Sequence, residues 1–154
     1  MKYKMIYFNC DYTEGAHPSI IEKLAETNME QTIGYGVDEY CQKAAELIKG
    51  ECKNSNLDVH FLVGGTQTNV TVIDAALKPY QGVICASSGH INVHETGAIE
   101  ATGHKVLACP SDDGKITAQQ VRTVMLSHRA SGSFEHEAQP KLVYLSTPTE
   151  LGTL

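Results

Sequence analysis

The sequence FLVGGTQTNV, residues 61–70, combines a glycine pair with hydroxyl and amide side chains where an anion could bind. Its first residues predict a strand and the later ones a helix that starts at Thr66. Gly64 and Gly65 permit a sharp turn and a close approach. The first amides of a helix have no partner inside it, so they, the helix dipole and the Thr66 hydroxyl could hold a phosphate. The alternative is an ordinary turn capped by Thr66. The pattern is neither a P-loop nor GxGxxG, so no nucleotide is specifically indicated.

A second stretch, SSGHINVHETGAIEATGHKV, places His90 directly after the next predicted strand. Ligands in parallel sheets bind at the carboxyl ends of the strands, so His90 and the glycine turn are predicted to be neighbours. Imidazole exchanges protons near neutral pH. Zinc is an alternative because His90, His94 and Glu95 follow at helical spacing. The order is not HExxH and no third ligand of recognisable spacing follows, so we predict no metal site.

These residues must be positioned by elements that alternate strand and helix from residue 57 onwards. The segments in order are DVHFLV, TQTNVTVIDAAL, GVICAS, NVHETGAIEAT, HKVLAC, TAQQVRTVMLSH and KLVYLS. Short apolar strands without strict polar alternation are typical of a parallel sheet covered by helices. We predict an α/β fold of three layers, with a mostly parallel sheet and helices on both faces. Upstream, a helix is predicted from Pro18 and another between Asp38 and Gly50, with a loop between them.

Composition excludes several classes of function. The chain has 154 residues, a formal charge of −6 and only 12 unclustered Lys and Arg residues, which argues against nucleic-acid and membrane partners and favours a small ligand. No apolar stretch reaches the length of a membrane span and the start is too polar for a signal peptide, so a cytoplasmic location is expected. The five cysteines have irregular spacing and are predicted to be reduced thiols. The sequence lacks the GxSxG motif, the nucleophile elbow that would indicate a hydrolase.

The order of GGTQTN, the stretch from His90 to Gly97, YGVD and DYTEGAHPSIIEKL resembles the amino-terminal half of the low-specificity L-threonine aldolases, in the beta-eliminating lyase family. The resemblance covers nearly the whole chain. It implies the aspartate-aminotransferase fold and pyridoxal 5'-phosphate as cofactor. It also implies that residues 1–56 form a helical segment and interface arm and that 57–154 form the first part of the cofactor-binding α/β domain.

The resemblance also assigns site residues. Gly65, Thr66 and Gln67 match the turn that holds the cofactor phosphate, and His90 matches the histidine that stacks on the pyridine ring and can act in catalysis. Tyr35 resembles the tyrosine that reaches a neighbouring subunit's cofactor, which implies a homodimer or homotetramer with sites between subunits. Asp11 and Gly15 match a segment near the site entrance.

Two positions depart from the family pattern. Cys10 stands where many relatives have a serine that helps to bind the substrate carboxylate. Thr149 is the nearest counterpart of a histidine near the substrate hydroxyl, and threonine is a poor base at neutral pH, so His90, a water or another group would have to take the proton.

The implied activity is cleavage of β-hydroxy-α-amino acids such as L-threonine to glycine and an aldehyde. The lysine that forms a Schiff base with the cofactor lies beyond the matched region, and no lysine here sits in a matching motif. We therefore expect the chain to be a fragment of a roughly double-length enzyme. The alternatives are a natural half-protein and a non-catalytic α/β module that binds a phosphate ligand or serves in assembly.

Overall fold

The structure is a computed structural model that describes Met5, Tyr7, Cys10 and residues 12–154. The chain forms two compact units, residues 1–61 and 62–154. The first contains helix α1 (Pro18–Thr27) and helix α2 (Glu39–Glu51), joined by the predicted loop. Pro18 begins α1, where its fixed φ suits a helix and its missing N–H costs nothing. Asp38 caps α2 by accepting a hydrogen bond from the Cys41 amide at 2.9 Å.

The second unit alternates helices and strands. Its elements are helix α3 (Gly65–Ala76), strand β1 (Gln81–Ala86), helix α4 (His90–Val93), strand β2 (Lys105–Cys109), helix α5 (Ala118–Ala130) and strand β3 (Gln139–Val143). Short 3-10 turns lie at Glu100–Thr102 and Phe134–His136. No helix in the part of the chain that the structure describes is long and apolar enough to cross a membrane.

The sheet is parallel, with strand order β2-β1-β3. The chain moves from β1 to β2 on one side and then crosses to β3 on the other. Parallel strands are almost always connected by right-handed crossovers, and with that handedness a reversal of this kind places the connecting helices on opposite faces of the sheet. The predicted α/β class, with a parallel sheet between helices, is confirmed. The order of the strands reverses between β1 and β3, and ligands of such sheets bind outside the carboxyl ends of the strands at a reversal of this kind.

The core is built on β1, all of whose residues are buried. Val83 and Cys85, each 0% exposed, pack in one cluster with Ile73 of α3 and with Ile91 and Ile99 from the connection between β1 and β2. Ile84 points to the opposite face and is only 1% exposed, so both faces are covered. The apolar run predicted as a two-sided buried strand therefore has that environment.

Two predicted elements were wrong. Residues 58–63 do not form a strand: within the described residues they join no neighbouring strand, and a strand exists only where its amides and carbonyls pair. The predicted helix over 92–102 is broken into α4 and a 3-10 turn. Thr96 and Gly97 have φ of 50° and 76°, which no α-helix accommodates. The break follows Glu95, whose side chain turns into the protein.

Candidate active site

The start of α3 is an uncapped helix end. Gly64 is its N-cap and provides no side chain, so the amides of Gly65, Thr66 and Gln67 are left to solvent or a ligand. The alternative of a turn capped by Thr66 is therefore wrong, because the helix begins at Gly65, one residue before the predicted start. The Gln67 carboxamide accepts a hydrogen bond from the Val63 amide at 2.8 Å, and this bond fixes the residues just before the helix.

The two glycines are not required by the fold itself. Gly64 has an extended φ of −166°, which any residue can adopt. A Cβ atom at Gly64 or Gly65 would meet no other atom within 4 Å. A side chain would find room at either position, and without one the backbone amides of this helix end are bare for an anionic group to contact.

A buried carboxylate connects α3 to His90. Glu95, whose side chain is 0% exposed, presents Oε1 to His90 Nδ1 at 2.7 Å. The same oxygen accepts a hydrogen bond from Asn69 Nδ2, in the second turn of α3, at 2.6 Å. The imidazole is thereby tied to the helix that carries the uncapped amides. The His90 side chain is 42% exposed, so one edge of the ring is held and the rest is open.

The direction of α3 follows from its contacts at both ends. Asp74, near its end, lies 3.3 Å from His104 Nε2, and His104 directly precedes β2. The carboxyl end of α3 therefore lies near the amino ends of the strands, and its amino end faces the carboxyl edge of the sheet.

The segment after β3 also reaches His90. Glu150 Oε1 accepts hydrogen bonds from the His90 amide at 3.0 Å and from the Ser146 hydroxyl at 2.7 Å. Burial acts to raise the pKa of Glu150. The charge of His90 acts in the opposite direction, and so do the hydrogen bonds from Ser146, from the Glu150 amide and from the His90 amide. Together these interactions outweigh burial and lower the pKa. Glu150 thus carries negative charge beside the site at neutral pH.

Unsatisfied polar atoms mark the same region. Among the described residues, the buried side-chain atoms without a hydrogen-bond partner are Ser88 Oγ, Glu95 Oε2 and His128 Nε2. The first two belong to the segment that contains His90. A buried polar atom without a partner is costly, and such atoms are kept at functional sites more often than elsewhere.

In the alternative zinc site, His90 contacts the other two residues, His94 and Glu95. The His90 and His94 rings lie 5.5 Å apart at 54°, and His90 Nδ1 is engaged by Glu95. No group of three or more His, Cys, Asp and Glu side chains in the described ranges is arranged to hold a metal ion.

The cysteines near the sheet are poor nucleophiles. Burial raises the pKa of Cys85 to about 11, with smaller contributions from nearby negative groups, and burial also raises the pKa of Cys109. Both are free thiols, as predicted. Because the thiolate is the reactive form, neither residue supports covalent chemistry at neutral pH.

The other predicted residues lie in different surroundings. The Thr149 hydroxyl contacts the Asp113 carbonyl at 3.3 Å and the Thr153 hydroxyl at 2.8 Å, so it supports a turn. Tyr35 lies in the first unit, with its side chain fully exposed and a φ of 65°. Asp11 lies outside the described residues. Gly15 is exposed in the first unit.

Sequence reasoning assigned no role to Asn69, Ser146 or Glu150, and considered Glu95 only as a metal ligand. Asn69 and Glu95 both stand inside the motifs that indicated the site, GGTQTN and HINVHETG. The available signal was their spacing, since a polar residue four positions after Gly65 faces the same side of the helix. Nothing in the sequence indicated that Glu150, sixty residues after His90, would contact its amide.

These features define a class: an α/β protein whose parallel sheet carries an uncapped helix end and a half-exposed imidazole at its carboxyl edge, where ligands of such sheets bind. The threonine aldolase of Leishmania major has the same fold, with a TM-score of 0.87 and 47% identity over 93% of this chain. A low-specificity L-threonine aldolase from Pseudomonas aeruginosa is 28% identical over 96% of the chain, and one from a Pseudomonas species is 27% identical over 96%.

The family model for beta-eliminating lyases matches residues 8–154. The chain belongs to the beta-eliminating lyase family. It spans 42% of the length of the two curated relatives and 41% of the Leishmania chain.

Proposed function

We propose that this chain supplies the cofactor-phosphate and ring-contacting part of a pyridoxal 5'-phosphate lyase that cleaves β-hydroxy-α-amino acids such as L-threonine to glycine and an aldehyde. The observation that carries the proposal is the connection from the uncapped end of α3 through Asn69 and Glu95 to His90. It joins a helix end whose free amides suit a phosphate to a half-exposed imidazole, at one edge of a parallel sheet.

The donor set fits the phosphate of this cofactor. The amides of Gly65, Thr66 and Gln67 converge at the positive end of a twelve-residue helix. The open space over the glycines admits the anion, and the Thr66 hydroxyl adds a donor. A hydrogen bond to a charged group contributes roughly 1.5–3 kcal/mol. These residues bind and orient the cofactor through its phosphate.

His90 fits the ring end of the same cofactor. When bound, the cofactor supplies the electron sink that accepts the electron pair of the broken Cα–Cβ bond. The imidazole is flat and polarisable, and it is fixed at Nδ1 by Glu95 and at its amide by Glu150. It can therefore hold a planar ring in place while its remaining nitrogen exchanges protons.

Cleavage also requires a proton acceptor for the substrate hydroxyl. The Thr149 hydroxyl is committed to Asp113 and Thr153 in a turn, which argues against that role. His90 is the imidazole that the fold fixes at the carboxyl edge of the sheet, and we assign the proton transfer to it.

Assembly and location belong to the proposal. The fully exposed Tyr35 ring suits a contact with a second subunit, and we propose a homodimer or homotetramer with Tyr35 reaching the neighbouring site. The free thiols of Cys41, Cys52, Cys85 and Cys109 suit a reducing compartment such as the cytoplasm.

The test is titration of the purified full-length protein with the cofactor, monitored by absorbance near the edge of the visible range, for wild type, Thr66→Ala and His90→Ala. We expect Thr66→Ala to weaken cofactor binding roughly tenfold or more, from the loss of a bond to charged phosphate. We expect His90→Ala to weaken retention and slow the release of glycine. The matched controls are Thr71→Ala, an exposed threonine of α3, and His136→Ala, an exposed histidine of a 3-10 turn.

Unchanged cofactor affinity in both site variants would remove the site assignment. A protein that binds inorganic phosphate at Thr66 but gains no absorbance with the cofactor would instead favour a phosphate-binding module without this catalysis.

A further inference from the structure

Glu95 uses its two buried carboxylate oxygens unequally, because one of them receives both hydrogen bonds. Its Oε1 lies 2.6 Å from Asn69 Nδ2 and 2.7 Å from His90 Nδ1, while Oε2 is buried and has no hydrogen-bond partner among the described residues. Glu95 as a whole is 3% exposed. A carboxylate is placed in such surroundings only when its partners offset the cost of burial.

The pair of bonds determines where the proton on His90 lies. The Asn69 amide nitrogen can only donate, so Glu95 Oε1 must accept. Turning the Asn69 amide around would place its carbonyl against a carboxylate oxygen, which is repulsive. An oxygen that accepts from Asn69 also accepts from His90, so Nδ1 carries a hydrogen. In the neutral imidazole the lone pair is then on Nε2, at the end of the ring away from Glu95.

We propose that Glu95, oriented by Asn69, is a positioning residue that fixes the Nδ1–H tautomer of His90 and so leaves Nε2 as the acceptor of the substrate hydroxyl proton. The inference rests on the proposed function and deepens it. Glu95 is buried, and it acts through its hydrogen bond to His90.

Nε2 takes the proton of the substrate hydroxyl, and the electron pair of that O–H bond becomes the second bond of the aldehyde carbonyl. The Cα–Cβ bond breaks as the carbonyl forms, and the pyridoxal cofactor, which Gly65, Thr66 and Gln67 would hold through its phosphate, would supply the acceptor of that electron pair. His90 becomes an imidazolium, which the Glu95 carboxylate stabilises. The imidazolium then returns its proton to Cα, which completes glycine and restores the neutral ring.

Several charged or titratable groups face His90 and enter any pH dependence. Glu95 contacts the ring, His94 lies at 5.5 Å between ring centroids, and Glu150 accepts from the amide. If Glu95 only joined α3 to the segment after β1, its carboxylate would not determine the tautomer of His90.

The first experiment measures the tautomer directly, in the full-length protein as expressed and without added cofactor, by long-range proton–nitrogen correlation NMR of the imidazoles. In wild type we expect the neutral His90 ring to carry hydrogen on Nδ1. In Glu95→Gln we expect that preference to be reduced or inverted, because a neutral amide can donate as well as accept. Glu100→Gln, an exposed neighbour, should retain the wild-type tautomer.

Wild-type hydrogen on Nε2 alone would overturn the inference, and so would an unchanged tautomer in Glu95→Gln. This readout needs neither cofactor nor turnover, so it is separate from a failure of the proposed function.

The second experiment is steady-state kinetics of the cofactor-loaded protein. A positioned general base is worth roughly 10²–10⁴-fold in rate, so Glu95→Gln should lower kcat by about 10²-fold while KM and cofactor affinity change by less than about threefold. Glu95→Asp should restore part of kcat, and the pH dependence of kcat should shift in Glu95→Gln alone. An unchanged kcat, or equal losses in Glu95→Gln and Glu100→Gln, would overturn the positioning role.

Discussion

At the residue scale, Glu150 is a residue of the site whose pKa the fold lowers. Burial alone would favour its neutral form, yet the Ser146 hydroxyl and backbone amides, including that of His90, donate to it and lower its pKa. A carboxylate that accepts several hydrogen bonds stays charged. The charge fixes the backbone of His90, while Glu95 fixes the ring.

This pKa shift predicts how acid affects stability. The folded-state pKa of Glu150 lies below its ordinary value of 4.5, so the folded protein binds this proton more weakly than the unfolded chain. The stabilisation is therefore fully present above about pH 4.5 and is lost as the pH falls through the lower folded-state pKa. We expect the thermal midpoint of Glu150→Gln to lie below that of wild type by a few degrees near pH 7, with the difference closing under acid.

Thermal unfolding followed by circular dichroism across that range measures the difference. Glu135→Gln, at an exposed position, is the control. A gap between wild type and Glu150→Gln that widens as the pH falls would contradict the prediction.

At the scale of elements, the turn before α5 is supported by the segment after β3. Gly114 has a φ of 82°, and a Cβ atom there would lie 2.7 Å from the Thr149 side chain. Thr149 and Thr153 both contact the Asp113 carbonyl, and the Thr153 bond is 2.6 Å long. The residue that resemblance placed near the substrate hydroxyl thus packs against a glycine turn.

We predict that Gly114→Ala lowers the free energy of unfolding by about 1–3 kcal/mol, because an L-residue is strained at this φ and its methyl group collides with Thr149. Chemical denaturation measures the change. Gly132→Ala is the matched control, since its φ is not positive and no atom lies within 4 Å of the added carbon. Equal losses in the two variants would show that neither φ nor crowding is responsible.

At the scale of the whole molecule, the first unit leaves its apolar side chains exposed. Neither α1 nor α2 contains a buried residue. On α1, Ile20, Ile21 and Leu24 are 52%, 53% and 60% exposed. Apolar groups clustered on one helix in this way mark an interaction surface more often than they face water. The proposed assembly gives this surface a partner in a second copy of the chain.

We therefore expect Leu24→Glu to lower the assembled fraction in sedimentation equilibrium, because a charge would be buried at the contact. Glu22→Ala, an exposed change on the same helix, should leave the fraction unaltered. A wild type that stays monomeric at every concentration, or an unaltered fraction in Leu24→Glu, would contradict the assembly.

The accuracy of the sequence predictions depended on how local the deciding forces were. Strands β1, β2 and β3 and helices α3 and α5 were predicted within a few residues, since apolar runs, caps and turn residues act over short distances. Residues 58–63 were predicted to form a strand because an apolar pattern indicates burial. The pattern does not indicate whether a neighbouring strand is present to pair with. The helix over 92–102 was mispredicted because Thr96 adopts a positive φ, which its side chain does not announce.

By itself, the sequence determined the fold class, the family and the two places, GGTQTN and His90, where the chemistry is proposed. These depend on periodicity and on motifs that are contiguous in the chain. Only the tertiary structure decided that Asn69, Glu95 and Glu150 hold His90, and that the Thr149 hydroxyl contacts Asp113 and Thr153 in a turn. Those contacts join residues 5 to 60 positions apart. They form because parallel strands bring their carboxyl ends to one edge, and a linear pattern carries no measure of that distance.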